Sequence, residues 1–492
     1  MKSRKKIAAL SGIAVFVFAV GCTVGPKYQR ATAPVPAKWD VPEPWREGAP
    51  KDGVPKGEWW GVFHDEELDA LEKQTLDANQ TIQVAAARLQ QARASAAVQI
   101  ATQFPTLSTT PSAQRQRLNT LHPTGTGSAV VSPVTINNFT LPFQAGYEVD
   151  LFGRRRRSIE AAQAAYQASA ADLENVRLVI TSELAGDYFS ARQLDAELGI
   201  LNRTVETLQK GLQLVDSRHK GGLASGLDVA QEETLLDTTR TQAILLQQQR
   251  KQFEDAIAVL LGKPAPDFHL APKELNAEPP ALDTGLPSDL LERRPDIAEA
   301  ERQMATANAQ IGIARAAYFP SLNLFANGGW QATDIAKLFN VQSTVWAVGA
   351  DAAEAIFTGG ARRAQTQFAK AGYDASVASY RNTVLGAFGE VQDDVTGLIV
   401  LDQAFHSQEQ AVDAARRTLN ISTDRYTGGL VSYLDVVTAQ QTLLNNEQQL
   451  AAIRGQRLVT SVLLIKALGG GWDASSLSAV QAKTKPKDAV AP

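Results

Sequence analysis

One cysteine stands in a chain of 492 residues, Cys22, and its surroundings suit acylation of the thiol better than pairing or metal binding. Lys2, Arg4, Lys5 and Lys6 precede an apolar run from Ile7 to Val20, and Ala19-Val20-Gly21 puts small residues directly before the thiol. That is the layout of a secretory signal, here residues 1–21, ending at a lipidated cysteine. The alternative is an ordinary cleaved signal followed by an incidental cysteine. The run is too short to span a bilayer comfortably. Acyl chains on Cys22 would anchor the mature chain by burying methylenes at about 0.8 kcal/mol each, with more than one chain needed for lasting attachment. Thr23, rather than an aspartate, follows the cysteine, which favours delivery to an outer membrane over retention at an inner one.

Other chemistry is sparse. The histidines at 64, 122, 219, 269 and 406 show no metal-ligand spacing, and no phosphate-binding glycine loop or nucleophile elbow is present. An enzyme is therefore not expected, and no cofactor is implied. A net charge of -4 and a pI near 5.9 give no global attraction to nucleic acid.

The elements that must position any function repeat. Gly153 and Gly360, Tyr166 and Tyr373, Glu183 and Glu390, Gly221 and Gly428, Asp228 and Asp435, and Leu261 and Leu468 are all 207 positions apart. A register held that long without insertion predicts long helices packed side by side in a duplicated scaffold. The chain divides into an N-terminal arm and equatorial segment at 22–78 and a first repeat at 79–262. A Pro-rich connector at 263–289, a second repeat at 290–471 and a disordered tail at 472–492 complete it.

Within the first repeat, a helix from about Asn79 to Gln103 ends at Phe104-Pro105, because proline turns the preceding residue away from the helical region. Phe139, Leu141, Phe143, Ala145, Tyr147, Val149 and Leu151 then alternate at period two, as do Leu322, Leu324, Ala326 and Gly328 after Phe319-Pro320. Two β-hairpins are expected, one per repeat. Leu194, Leu198, Leu201, Val205, Leu208, Leu212 and Val215 follow 4-3-4-3 spacing, a coiled-coil seam on a helix from Arg154 to Arg218. The aligned seam of the second repeat is weaker, with Gln408 and Ser422 at two positions. Gly221-Gly222 ends the first long helix, and Ser225 with Asp228 makes a capping box opening the next, as do Ser432 and Asp435. By length, one long helix matches two short ones stacked end to end.

Two hairpins give four strands. In lipid an open sheet edge has no partner for its N–H and C=O groups, and closed barrels begin at about eight strands. One chain cannot close such a wall, so membrane insertion demands an oligomer; the alternative is a small soluble sheet capping the helices.

Several words resemble the outer-membrane factor family, the lipoprotein channels of tripartite efflux pumps and their secretion relatives. They are Leu290-Leu291-Glu292-Arg293-Arg294-Pro295-Asp296-Ile297, Ala309-Gln310-Ile311-Gly312-Ile313-Ala314-Arg315-Ala316, Arg425 to Val436 around Gly428-Gly429, Tyr147 to Gly153, and Trp59-Trp60. The resemblance implies a mainly α fold with a β-barrel portion: a homotrimer with a twelve-stranded transmembrane barrel continued by a periplasmic α-barrel of long helical hairpins. It also implies a passive outer-membrane exit duct for small toxic compounds or drugs, opened by a periplasmic adaptor and driven by an inner-membrane pump of the resistance-nodulation-division type. Outer-membrane lipid is the remaining partner. The same channel serving type I protein secretion, or a lipid-anchored periplasmic scaffold without a pore, are the rivals.

The resemblance assigns adaptor contact to the turns Gly221, Gly222, Leu223, Ala224 and Ser225 and Gly428, Gly429, Leu430, Val431 and Ser432. It puts a periplasmic gate at Leu434, Asp435, Thr438 and Gln441, with Asp228 as the counterpart of Asp435. Three copies of Asp435 around an axis would form an acidic ring. Thr438 and Gln441 stand where relatives often carry an acid and an arginine, so an ionic latch gives way to steric closure by Leu434. Arg154 to Arg157 follow the last strand of the first hairpin, where they would meet lipid phosphates or form a solvated turn.

Overall fold

The computed structural model describes residues 23–36, 57–118, 134–280 and 290–472. Helices α1 (Glu66–Ala78) and α2 (Gln80–Ala101) lead to strands β1 (Thr106–Thr109), β2 (Ser112–Leu118) and β3 (Val134–Val149), then to α3 (Arg154–Lys220) and α4 (Gly226–Leu260). The second repeat runs α5 (Leu290–Arg293), α6 (Pro295–Ala316), β4 (Ser321–Ala332), β5 (Thr344–Ala353), α7 (Ala361–Thr427) and α8 (Tyr433–Ala467). Cys22 and residues 473–492 lie outside the described residues.

Each 67-residue helix, α3 or α7, spans about 100 Å at 1.5 Å per residue. Beside α3 run α2 and α4 on one flank and α6 and α8 on the other, with α7 beyond the second pair. Each short pair is spliced end to end by one residue. Asn79 accepts from the Thr81 and Ile82 amides at 2.9 and 3.1 Å and donates to the Leu260 carbonyl at 2.9 Å, so it caps the start of α2 and the end of α4 together. Arg294 does the corresponding work in the second repeat, donating to the Ala467 carbonyl at 3.0 Å while pairing with Asp296 and Glu390 at 2.8 and 2.7 Å. The splices require glycine: a Cβ on Gly262 would meet the Ala78 carbonyl at 2.6 Å, and one on Gly469 the Arg293 carbonyl at 2.1 Å, both at positive φ.

The principal core sits at the equator, where Trp59 and Trp60, in a 3₁₀ turn at Trp59–Phe63, pack with Phe63, Leu184, Tyr188, Phe189 and Ile257. Trp59 Nε1 donates to Thr181 at 3.1 Å, and Tyr188 donates to Asp65 at 2.8 Å. The connector is strapped over the same region: Arg192 donates to the Ala271 carbonyl at 2.6 Å and pairs with Glu67 at 2.7 Å, and Arg250 donates to the Leu270 carbonyl.

The sheet is antiparallel, ordered β1–β3–β4–β5, with β2 also on β3. Five strands thus replace the expected four, yet there are four arms. Thr109 pairs with Phe143 and Ser112 with Thr140 in one unbroken register, so β1 and β2 are a single arm interrupted at Thr110-Pro111. Pro111 and Pro142 face this gap from the two sides, and neither supplies a ladder N–H. On its other side Pro142 pairs with Gly329, where a Cβ would come within 2.2 Å of the Leu141 carbonyl.

Candidate functional site

Two surfaces carry the chemistry, the sheet and the far end of the helices. On the sheet, Phe139, Leu141, Phe143, Ala145, Tyr147 and Val149 share a face with Leu322, Leu324, Ala326 and Trp330 and with Trp346, Val348, Ala350 and Ala352. The other face is mostly polar, with Asn138, Thr140, Gln144, Asn323, Asn327, Gln331 and Asp351; Phe325, whose ring covers Gly349, Pro142, Val345 and Ala347 interrupt it. Gln331 donates to Asn138 at 3.1 Å, Asn323 to Asp351 at 3.1 Å, and Ser112 and Thr140 bond at 2.7 Å. A sheet apolar on one side, hydrogen-bonded and polar on the other, is built to separate hydrocarbon from water. From Phe139 to Val149 is ten residue steps, which at about 3.3 Å per residue and a tilt near 40° is roughly 25 Å, the height of an outer-membrane hydrocarbon band. Among the described residues the outer edges of β1, β2 and β5 have no strand partner.

At the sheet-to-helix boundary the basic run Arg154 to Arg157 is held by ion pairs, with Arg157 buried and Arg154 exposed. Arg154 and Arg155 pair with Glu148 at 2.6 and 3.1 Å, Arg156 with Asp150 at 3.2 Å, and Arg157 with Glu160 at 2.7 Å while also donating to the Pro26 carbonyl at 2.9 Å. The run pins the N-terminal arm to the base of the sheet.

At the opposite end, the two turns are near copies. Gly222 and Gly429 have φ of 75° and 72°, which glycine adopts without strain, and the Leu223 and Leu430 amides reach back to Arg218 and Arg425 carbonyls at 2.8 and 2.9 Å. Both capping boxes form: the Ser225 and Ser432 amides donate to Asp228 and Asp435 at 3.0 and 3.1 Å. Both aspartates are therefore caps. Leu223 is 75 % and Leu430 72 % exposed, so each turn presents one apolar side chain at its apex that no described residue covers. Ala224 and Val431 are half-buried. Leu434, Asp435, Thr438 and Gln441 are exposed along one stripe of α8, whose opposite side buries Tyr433, Val436 and Ala439. Behind that stripe the two helical hairpins meet through Arg218 over Tyr426 at 5.0 Å, and Tyr426 packs against Tyr433 at 4.9 Å across the second hairpin. Gln408, an expected weak point of the second seam, donates to Asn446 Oδ1 at 2.9 Å.

Sequence reasoning marked Glu183 and Glu390 only as repeats. They stand one turn before Asp187 and Asp394, and both aspartates are pushed up to about 6, first by burial and then by the glutamate beside each. On α3 the arm and connector pack on Thr181, Tyr188 and Arg192. At 100° per residue, Glu183 and Asp187 occupy the side turned away from that collar. The signal was available as acid pairs four apart at the 207-residue offset. Among the described residues no helix is long and apolar enough to cross a membrane.

The sequence profile of the family "Outer membrane efflux protein" matches residues 71–263 and 286–470, and the chain belongs to that family. It is 34 % identical over 445 residues to the pyoverdine export outer membrane protein OpmQ of Pseudomonas aeruginosa, covering 89 % of this chain and 93 % of that one. It is 33 % identical over 467 residues to the toluene efflux pump outer membrane protein TtgC of Pseudomonas putida, covering 94 % and 96 %. Among solved structures, the outer-membrane channel OprN superposes with a TM-score of 0.84 at 29 % identity, over 92 % of this chain and all of that one. VceC of Vibrio cholerae superposes with a TM-score of 0.79 at 28 % identity, over 85 % and 100 %. The protein is an outer-membrane efflux channel component that extends into the periplasm, and not an enzyme.

Proposed function

We propose that three copies of this chain close into one duct through which small toxic compounds leave the cell, opened at the helical tips by a periplasmic adaptor and energised by an inner-membrane pump of the resistance-nodulation-division type. The observation that carries this reading is the sheet, with four arms, one apolar face, and two edges unpaired among the described residues. Backbone amides left open in hydrocarbon cost several kcal/mol each, so neighbouring copies must pair the edges. Three chains supply twelve arms, and the four lateral helical strands of each chain continue them as twelve. Cys22, acylated, tethers the arm to the same membrane.

The turns at Gly221 to Ser225 and Gly428 to Ser432 take the adaptor, because exposed Leu223 and Leu430 gain burial only from a partner. Leu434, Asp435, Thr438 and Gln441 face the axis and narrow it, Leu434 sterically and Asp435 by charge. Above them Glu183, Asp187 and Asp394 line the duct and favour cationic cargo, while Glu390 is held by Arg294. Replacing Leu430 and Val431 with aspartate tests the tips: export should be lost in cells while oligomers purify intact. Unimpaired export would remove the tips from the adaptor interface.

A further inference from the structure

The outward end of the first hairpin carries charge that the duct does not use. Arg115 pairs with Asn137 and Arg117 with Thr135 across β2 and β3, and both arginines have the parity of Phe139 and Leu141, the apolar side of the sheet. Both are exposed, and neither has a side-chain partner among the described residues. Their height follows from the register. The apolar row ends at Phe139; Asn137 and Thr135 lie two and four residues further, so the two guanidinium groups sit roughly 5 and 10 Å beyond the hydrocarbon edge on the side away from the helices. That is headgroup depth. Trp330, paired with Leu141 and packed on Phe143 and Phe339 at 6.5 and 5.7 Å, marks the same interface as aromatic residues do in membrane barrels.

Composition sharpens the point. No aspartate or glutamate occurs between Asp77 and Glu148, so the hairpin carries no carboxylate except Glu148 at the helix-side end of β3, already paired with Arg154 and Arg155. The second hairpin, in contrast, carries Asp334 and Lys337 together in its loop. A charge this uniform cannot recruit a divalent cation to bridge to an anionic lipid; it must meet the anion directly. Arginine forks bind phosphate oxygens bidentately, and their spacing of two residues on one strand face sets them about 7 Å apart along the strand.

We propose that Arg115 and Arg117 form a binding site for the phosphate groups of an outer-leaflet glycolipid, one site per chain. The site fixes the barrel's depth and ties the lipid to the hairpin at the open edge of β2, where a neighbouring copy must join. The proposal rests on the reading that the sheet spans the outer membrane with the helices on the periplasmic side.

The test uses the full-length protein purified in mild detergent, with bisphosphorylated lipid A and its dephosphorylated counterpart as probes and retained lipid read by native mass spectrometry. The wild-type protein should retain the phosphorylated lipid, R115S/R117S should lose retention on the order of 30-fold, or about 1 kcal/mol per arginine, and R115K/R117K, which keeps the charge but not the fork, should recover only part of it. The dephosphorylated lipid should bind both proteins equally weakly. Equal retention of phosphorylated lipid by the wild type and R115S/R117S overturns the site, as does equal retention of the two lipids by the wild type. Insertion is scored separately by protease protection of the hairpin in vesicles. Protection with unchanged lipid selectivity rejects the site alone, whereas cleavage of the wild-type hairpin rejects the membrane-spanning reading beneath it.

Discussion

Glu72 offers a direct way to perturb the equatorial core without touching the duct. Its side chain on α1 is wholly inaccessible, both carboxylate oxygens lack a hydrogen-bond partner, and burial, reinforced by Asp69 one turn earlier, raises its pKa well above the usual 4.5. The native state therefore holds the proton while the unfolded chain releases it. Because the folded value is the higher one, the group's contribution to stability is complete below about 4.5 and is lost as pH rises toward the folded value. The slope is about 1.4 kcal/mol per pH unit within that window. At about 2.1 cal/mol/K per residue, 492 residues unfold with an entropy near 1 kcal/mol/K, so the expected shift is about 1.4 °C per pH unit. Thermal unfolding followed by circular dichroism between pH 4.5 and 7 should show Glu72→Gln matching the wild type at the acid end and gaining steadily above it. Glu72→Leu should be the more stable at every pH, since no polar group is then buried unpaired. Parallel pH profiles for the wild type and Glu72→Gln, or a less stable Gln variant at pH 7, would refute the assignment of a buried, proton-holding carboxyl.

Arg294→Ala strips the Ala467 carbonyl, Asp296 and Glu390 of one shared, nearly buried partner and should lower stability by about 3 kcal/mol in denaturant titration, with Arg294→Lys recovering only part of it. Gly329→Ala forces a Cβ to 2.2 Å from the Leu141 carbonyl and should abolish assembly in the outer membrane, visible as loss of the protein from membrane fractions. Channel selectivity should depend on pH. Asp187 and Asp394 are charged above about 6 and neutral below, so reversal potentials in a potassium chloride gradient should show cation preference weakening as pH falls through 6, and D187N/D394N should flatten that change.

Much of this architecture was legible because helices and strands announce themselves by period. The 207-residue offset and the seam from Leu194 to Val215 fixed the long helices, and the row from Phe139 to Val149 fixed the apolar face of β3. Asn79 was read as the first residue of a helix; its side chain instead splices two helices, a contact with a residue 181 positions away that no local pattern encodes. The break between β1 and β2 was missed because it arises from Pro111 meeting Pro142 across strands, visible only once the register is known. Arg154 to Arg156 find Glu148 and Asp150 only because the chain reverses from strand to helix between them, and Arg157 reaches the arm at Gly25 and Pro26, far away in sequence. At the tips, the capping boxes were plain from Ser225, Asp228, Ser432 and Asp435, while the acid pairs facing away from the collar needed the helix's orientation to become visible.

The central claim is that no single chain completes the wall, and the mass of the purified particle in mild detergent tests it most directly. Light scattering corrected for bound detergent should give three protomer masses, each that of the 52.8 kDa chain less residues 1–21, with the same fraction producing ion-conducting steps in planar bilayers. A particle of one protomer mass that leaves the bilayer silent would contradict the account.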